Sequence, residues 1–164
     1  MRYAGTLEIT TPNDHEIAMT RVFDAPRPLV FDCLTRPELV KRWLLGPPGW
    51  SMPVCDIDLK VGGAYRFLWR NDTSGSEMGV RGVYRHIDPP ERVVNTEIFD
   101  EAWYPGEALI TYTLIEKGAA TTITLTVRYE SQEARDIALK SGMEKGVTMS
   151  YDRMAEVLAS LSTD

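Results

Sequence analysis

Residues 143–161 read MEKGVTMSYDRMAEVLASL, and this stretch decides how the rest of the chain must fold. Its apolar residues recur every three or four positions, which predicts an amphipathic helix with one apolar face. The helical pattern begins near Ser131, a residue type favoured at helix N-caps, and runs to about Leu161. Gly142 and Gly146 interrupt the pattern, so we predict a kink or a break near Gly142.

The chain upstream of this helix alternates with a period of two, which is typical of strands in a sheet that is covered on one face. Between residues 64 and 70, for example, Tyr65, Phe67 and Trp69 share one face. We predict an antiparallel sheet of six or seven strands, drawn from the segments Thr6–Thr11, Glu16–Asp24, Asp56–Leu59, Ala64–Arg70, Gly79–Ile87, Arg92–Phe99, Glu107–Ile115 and Thr121–Tyr129.

Two short helices are predicted between the early strands, one over Leu29–Leu34 and one that begins near Pro37. The second ends at the Gly-Pro-Pro-Gly sequence of residues 46–49, after which Trp50 returns to the sheet edge. The sequence therefore predicts an α+β fold, in which a curved sheet wraps the long C-terminal helix within a single domain over residues 1–164. Trp43, at the end of the second helix, and Trp50 are either plain core packing or part of the rim of a cavity, and in the second case we expect Trp43 to face the ligand.

The composition excludes several classes of partner. The net charge of −6 leaves no basic surface for nucleic acid and disfavours anionic membranes. No apolar run reaches the roughly 20 residues of a membrane-spanning helix, and residues 1–14 lack the apolar core of a signal peptide. Cys33 and Cys55 are isolated among apolar residues, so we expect both to be reduced and buried, in a cytoplasmic protein.

The motif search finds no catalytic or cofactor signature. No His, Cys, Asp and Glu residues have the spacing of a metal site, and the sequence contains neither a phosphate-binding glycine loop nor a nucleophile elbow. We therefore predict no metal, no cofactor and no covalent catalysis.

Several local strings, in this order and spacing, resemble one protein family. They are RVFDAP at 21–26, TRPELVKRW at 35–43, GPPGW at 46–50, VGGAYRF at 61–67, IDPPERVV at 87–94 and GMEKGVTMSYDRMAEVL at 142–158. The chain is identified by them, from about residue 15 to 161, as a member of the bacterial branch homologous to the activator of the 90-kDa heat-shock protein's ATPase. That family belongs to the START-like, or SRPBCC, superfamily, whose fold is called the helix-grip.

The resemblance implies a cavity between the long helix and the concave face of the sheet. Members of the superfamily bind apolar or amphipathic small molecules, and some relatives are enzymes. The eukaryotic namesake binds the chaperone, but there this domain is one of two. Many members of the family carry a tryptophan where this chain has Val147. A smaller residue there either enlarges the cavity or leaves space that Tyr151 or Trp103 fills.

Glu97 is the strongest candidate for a chemical role. By alternation, Val93, Asn95, Glu97 and Phe99 share one face of their strand. If that face lines the cavity, burial raises the pKa of Glu97 and makes it a general acid, a general base or an acceptor that anchors a ligand. If the face meets solvent, Glu97 is an ordinary surface carboxylate.

Three functions follow from these observations. The first is binding of a small apolar or amphipathic ligand, the second is an enzyme that uses Glu97 as acid or base, and the third is a protein-interaction module with a chaperone partner. The predicted ligand-binding residues are Trp43, Tyr65, Phe67, Trp69, Glu97, Phe99, Trp103, Tyr112, Met143, Val147 and Tyr151.

Overall fold

A single antiparallel sheet of eight strands forms the body of the molecule in the computed structural model, which describes residues 6–162. The predicted domain boundaries of 1 and 164 lie outside the described residues. The strands are β1 (Glu8–Thr10), β2 (Glu16–Phe23), β3 (Trp50–Ile57), β4 (Ala64–Asn71), β5 (Glu77–Asp88), β6 (Arg92–Phe99), β7 (Ala108–Lys117) and β8 (Ala120–Arg128). Their order across the sheet is β1-β2-β8-β7-β6-β5-β4-β3, so the chain's first strands join its last.

The predicted count of six or seven strands is wrong, because each of the eight predicted segments overlaps a strand of the sheet, and both edge strands differ from their predicted bounds. β1 is only three residues long, yet it pairs with β2 along its whole length. β3 begins at Trp50, before the predicted start at Asp56. The prediction missed its first half because a register shift between Ser51 and Val54 obscures the alternation there. Leu59 lies beyond the end of this strand and is exposed.

The helices match the prediction. They are α1 (Arg27–Thr35), α2 (Pro37–Trp43), α3 (Gln132–Leu139) and α4 (Met143–Ser162). The Ser131 hydroxyl caps α3 by accepting a hydrogen bond from the Ala134 N–H at 3.0 Å. Gly142 has a φ of 84°, a left-handed conformation that suits glycine, and the predicted break falls there. Within residues 6–162, none of the helices has both the length and the apolar character that crossing a membrane requires.

Two apolar clusters cover the inner face of the sheet. The larger forms where α4 meets the two short helices, and in it Tyr151, Met154 and Leu158 pack with Phe23 and Ile123 of the sheet. The smaller lies under α3 and contains Ile17, Met19, Tyr104, Ala108, Ile110, Leu125, Val127, Tyr129, Ala134 and Ala138. The break at Gly142 allows each helix to pack on its own cluster. Residues of α4 and of the central strands contact both clusters, among them Phe99, Tyr112 and Val147.

The Gly-Pro-Pro-Gly loop after α2 is held by α4. Gly46 and Gly49 have positive φ angles of 64° and 97°, so the chain reverses sharply between them. The Gly46 N–H donates to the Ser150 hydroxyl at 3.0 Å, and Arg153 Nη1 donates to the Gly46 carbonyl at 2.5 Å. Trp50 then returns to the sheet edge, as the sequence predicts, and is the first residue of β3.

Both cysteines are free thiols, as predicted. Cys33 is fully buried, but the prediction of burial is wrong for Cys55, which is half-buried because it lies on the edge strand β3. Desolvation raises the pKa of Cys33 to about 12 and that of Cys55 to about 11. Both thiols are therefore protonated and weakly nucleophilic at neutral pH.

One charged residue lies in the core. Arg21 of β2 is 1% exposed, and its Nη1 donates to Asp152 Oδ1 of α4 at 2.5 Å. Its guanidinium carbon also lies 5.0 Å from the centre of the Phe23 ring. Residues 6–162 supply no hydrogen-bond partner for the Nε and Nη2 atoms of Arg21. The ion pair thus joins α4 to the sheet, and Asp152 compensates a charge that is otherwise costly to bury.

We expect Asp152→Ala to destabilise the fold more than Arg21→Met does. Removing the aspartate leaves a buried guanidinium uncompensated, at about 2 kcal/mol after allowance for the partly exposed Asp152, whereas an apolar replacement of the arginine costs about 1 kcal/mol or less. Urea unfolding at neutral pH measures both, with Asp58→Ala, which breaks an exposed pair with Lys60, as control. Equal losses for Asp152→Ala and Asp58→Ala would contradict the assignment.

Candidate ligand-binding cavity

A cavity with two connected lobes lies between α4 and the sheet. The inner lobe has a volume of about 230 Å³ and the outer lobe about 240 Å³, and the inner lobe is the more enclosed. Both apolar clusters contribute to its walls. The residues shared by the two lobes, which mark where they join, are Trp43, Leu44, Trp69, Phe99, Tyr112, Leu125, Met143 and Val147.

β6 turns its polar residues into the inner lobe. Val93, Asn95, Glu97 and Phe99 all line it, so the cavity-facing arrangement is the one that the structure has. They share this face with Ile110 of the neighbouring strand β7, which pairs with Asn95. Sequence alternation alone left the choice open because Val94 and Thr96, on the opposite face of β6, are buried as well.

Glu97 carries the one carboxylate in the lining of either lobe, as far as the described chain extends. The Tyr104 hydroxyl donates to its Oε2 at 2.9 Å. Burial raises the pKa of Glu97 to about 7, and the Tyr104 hydrogen bond opposes this shift only in part. No Lys, Arg or His of residues 6–162 lines either lobe, so no basic side chain there balances the charge.

The charge of this carboxylate acts on three tyrosines. The pKa values of Tyr65, Tyr104 and Tyr112 are raised above their ordinary range, first by burial and then by the negative charge of Glu97. All three phenols are therefore protonated at physiological pH. The Tyr104 hydroxyl donates a hydrogen bond to Glu97, and Tyr65 and Tyr112 line the same lobe as this acid.

Tyr65 is locked in place across the sheet. Its hydroxyl donates to the Thr96 carbonyl at 2.5 Å and accepts from Asn95 Nδ2 at 3.1 Å. To reach β6, the ring crosses over Gly82 of β5, its partner across the strand pair. A Cβ at Gly82 would collide with the Thr96 carbonyl and with the Tyr65 ring, so glycine is required here for this arrangement.

The two tryptophans at the junction of the lobes present their rings to the cavity. Trp43 Nε1 donates to the Cys33 carbonyl at 2.7 Å, and Trp69 Nε1 donates to the Leu44 carbonyl at 2.7 Å. Because backbone carbonyls occupy both indole N–H groups, the side chains offer an apolar surface rather than hydrogen bonds. Trp43 is thus both core and cavity wall, being 2% exposed.

Val147 borders open space. It lines both lobes, and the outer lobe lies beside it and its neighbour Gly146. Tyr151 packs against Phe23 and Trp43, with ring centres 5.3 Å and 5.9 Å away, rather than filling this space. Trp103 instead packs edge-to-face against Tyr104, with ring centres 4.8 Å apart. The small side chain at position 147 therefore leaves the cavity larger.

The structure brings the predicted site residues together. Trp43, Tyr65, Phe67, Trp69, Glu97, Phe99, Trp103, Tyr112, Met143 and Val147 line the inner lobe, and Tyr151 lines the outer lobe. Sequence reasoning missed Tyr84 and Tyr129, which also line the inner lobe, and Trp50, which lines the outer one. It also missed the hydrogen bond from Tyr104, in the segment between β6 and β7, to Glu97. No cluster of three or more potential metal ligands occurs within residues 6–162.

A family model matches most of this chain. The family described as Activator of Hsp90 ATPase homolog 1-like protein matches residues 24–159. Among proteins of curated function, none has a matching sequence.

Solved bacterial structures have the same fold. A crystal structure of a protein from Rhodobacter sphaeroides is 28% identical, with a TM-score of 0.89 over 94% of this chain and 98% of that one. One from Chromobacterium violaceum is 25% identical, with a TM-score of 0.74 over 89% and 98% of the two chains. An AHSA1 protein from Silicibacter pomeroyi is 22% identical, with a TM-score of 0.72 over 88% and 97%, and this likeness supports the fold alone.

We expect Glu97 to make stability fall as pH rises. Its pKa is about 7 in the folded chain against 4.5 as the ordinary value, so the folded state binds a proton more tightly between these pH values. The wild type should lose about 2 kcal/mol of unfolding free energy from pH 5 to 7.5 relative to Glu97→Gln. Urea unfolding of both proteins at the two pH values measures this, and parallel pH dependences would show that Glu97 is not buried as an acid.

Proposed function

The chain belongs to the Activator of Hsp90 ATPase homolog 1-like family, and from that premise we propose that it binds a small amphipathic molecule in the cavity under α4. The family has the START-like fold, which commonly binds hydrophobic ligands. The proposal rests on one observation, which is that the two lobes differ in polarity. The inner lobe has a carboxylate, an amide and tyrosine hydroxyls in its lining, while apolar residues dominate the outer lobe.

The polar and apolar groups in the lining of the cavity suit such a ligand. Ligand sites are usually concave and mostly apolar, with a few placed polar groups that fix orientation. Here the polar groups are Glu97, Asn95 and the surrounding tyrosines, and two of them are held by hydrogen bonds to the sheet. A ligand with a polar head and a compact apolar body therefore enters head first, with its body between Trp69 and Val147.

Acid–base catalysis at Glu97 is a second candidate function. The observation that favours it is a carboxyl group whose pKa of about 7 allows it to take up and release a proton near neutral pH. Glu97→Gln separates the two functions, because it preserves the shape of the cavity. A variant that binds ligand but does not turn it over would establish catalysis, and unchanged turnover would exclude Glu97 as the catalytic group.

The cellular setting of the proposed binding is the cytoplasm. The two thiols are unpaired, which suits a reducing compartment. The chaperone partner stays a prediction from the family resemblance.

Filling the space at position 147 should weaken ligand binding. In Val147→Trp an indole occupies the junction of the lobes, so a ligand can bury less apolar surface there. The variant should therefore bind the neutral hydrophobic dye N-phenyl-1-naphthylamine about tenfold or more weakly than the wild type does. Dye fluorescence measures affinity, and native mass spectrometry of the wild type purified from its host detects a resident ligand.

Ile137→Trp is the matched control, because it adds the same side chain at an exposed position on α3. It should bind the dye as the wild type does, and both variants should keep their melting temperatures within a few degrees. Equal dye binding by Val147→Trp and the wild type, or no binding by the wild type, would contradict the proposed function.

A further inference from the structure

The inner lobe contains an acid without a counter-charge. Glu97 accepts one hydrogen bond, from Tyr104, and no cation among the described residues contributes to its pKa. Every residue that lines the two lobes is otherwise neutral. Burying a carboxylate without a charged partner is unfavourable, and a cation supplied from outside would remove that cost.

Two donors in the lining, Asn95 and Tyr65, are already engaged. Asn95 Nδ2 donates to the Tyr65 hydroxyl and to the Thr96 carbonyl, at 3.1 Å and 3.3 Å, while Tyr65 donates to that same carbonyl. Among residues 6–162, the Tyr104 hydroxyl, which lies behind the lining, is the one side-chain donor to Glu97. Since an ionised carboxylate accepts about four hydrogen bonds, Glu97 retains capacity for a donor that the ligand brings.

Aromatic rings form the walls next to this acid. Tyr65 and Phe67 lie 5.0 Å apart between ring centres, Phe67 and Trp69 6.0 Å, and Phe99 and Trp103 5.5 Å. The faces of such rings attract cations, with the largest effect where water is excluded. A carboxylate among aromatic rings is therefore complementary to an ammonium group of a ligand. A neutral hydroxyl group would form a hydrogen bond with the carboxylate but would not neutralise its charge.

We propose that the ligand of this chain is a small amine, whose ammonium group binds Glu97 at the closed end of the inner lobe and whose apolar body occupies the outer lobe. This inference rests on the proposed ligand-binding function and adds its chemical class. The body would contact Trp69, Val147 and Trp50. The net charge of −6 gives the molecule a field that attracts cations.

Protonation of Glu97 should compete with the amine. The carboxylate must be ionised to pair with ammonium, so amine affinity should rise as pH increases from 5.5 to 7.5, and binding near pH 6.5 should release a proton from Glu97. His15 and His86 are not in the lining of either lobe, and the cavity tyrosines have raised pKa values, so Glu97 is the titrating group that faces the ligand.

A matched pair of probes tests the inference. The amine 3-phenylpropylamine and the alcohol 3-phenylpropan-1-ol differ in charge and are nearly identical in shape. Calorimetric or NMR titration should show that the wild type prefers the amine by about tenfold or more, and that Glu97→Gln removes this preference while the alcohol affinity stays within about twofold. Glu101→Gln changes an exposed carboxylate in the loop after β6 that lines neither lobe, and it should leave both affinities unchanged.

The outcomes separate this inference from the proposed function. Equal affinities of the wild type for amine and alcohol, an equal effect of Glu97→Gln on both, or an amine affinity independent of pH would overturn the amine and leave the cavity as a binding site. Dye uptake without binding of either probe would also overturn the amine. If neither probe nor N-phenyl-1-naphthylamine binds the wild type, the proposed function fails as well.

Discussion

The apolar face of an eight-stranded sheet is larger than one 20-residue helix can cover. The rest of the structure depends on how this mismatch is accommodated. The break at Gly142 divides the C-terminal helical region into α3 and α4, and each packs on a separate cluster of the sheet. α1 and α2 close one end, and the Gly46–Gly49 loop is tied to α4 by hydrogen bonds. What remains between the clusters is the cavity. It exists because the helices stabilise the sheet at its two ends without filling the middle.

An unfilled space between helix and sheet lowers the stability of the fold. The residues that line this space likewise stabilise the fold less than better-packing residues would, which leaves the space available to a ligand. Glu97 is a carboxylate buried where an apolar residue would stabilise the sheet better. Val147 leaves open the volume that a larger side chain would fill. Arg21 is a contrasting case, since its buried charge has Asp152 as a partner and joins helix to sheet. The difference between a compensated and an uncompensated charge distinguishes a structural residue from one that is available to a ligand.

Membership of the Activator of Hsp90 ATPase homolog 1-like family accounts for the architecture, and the solved bacterial relatives share it at 25% and 28% identity. The chemistry of the cavity is a property of this chain's own side chains. Its single acid, its aromatic walls and the small residue at position 147 together define a site for a compact molecule with one polar end. The arrangement is sterically specific as well, because Tyr65 reaches Thr96 only across a glycine at position 82.

Local patterns in the sequence determined the element types, the capping of α3 by Ser131, the break at Gly142 and the aromatic stripe of β4, because these depend on the periodicity and conformational preferences of neighbouring residues. The family resemblance added the helix-grip arrangement. Strand number was harder to predict, since β1 is short and a register shift interrupts β3. The face that Glu97 occupies, its hydrogen bond with Tyr104 and the lack of a neighbouring cation were decided by tertiary structure alone. Both faces of β6 are buried, so alternation there carries no information about direction, and a pKa depends on residues that only the folded chain brings together.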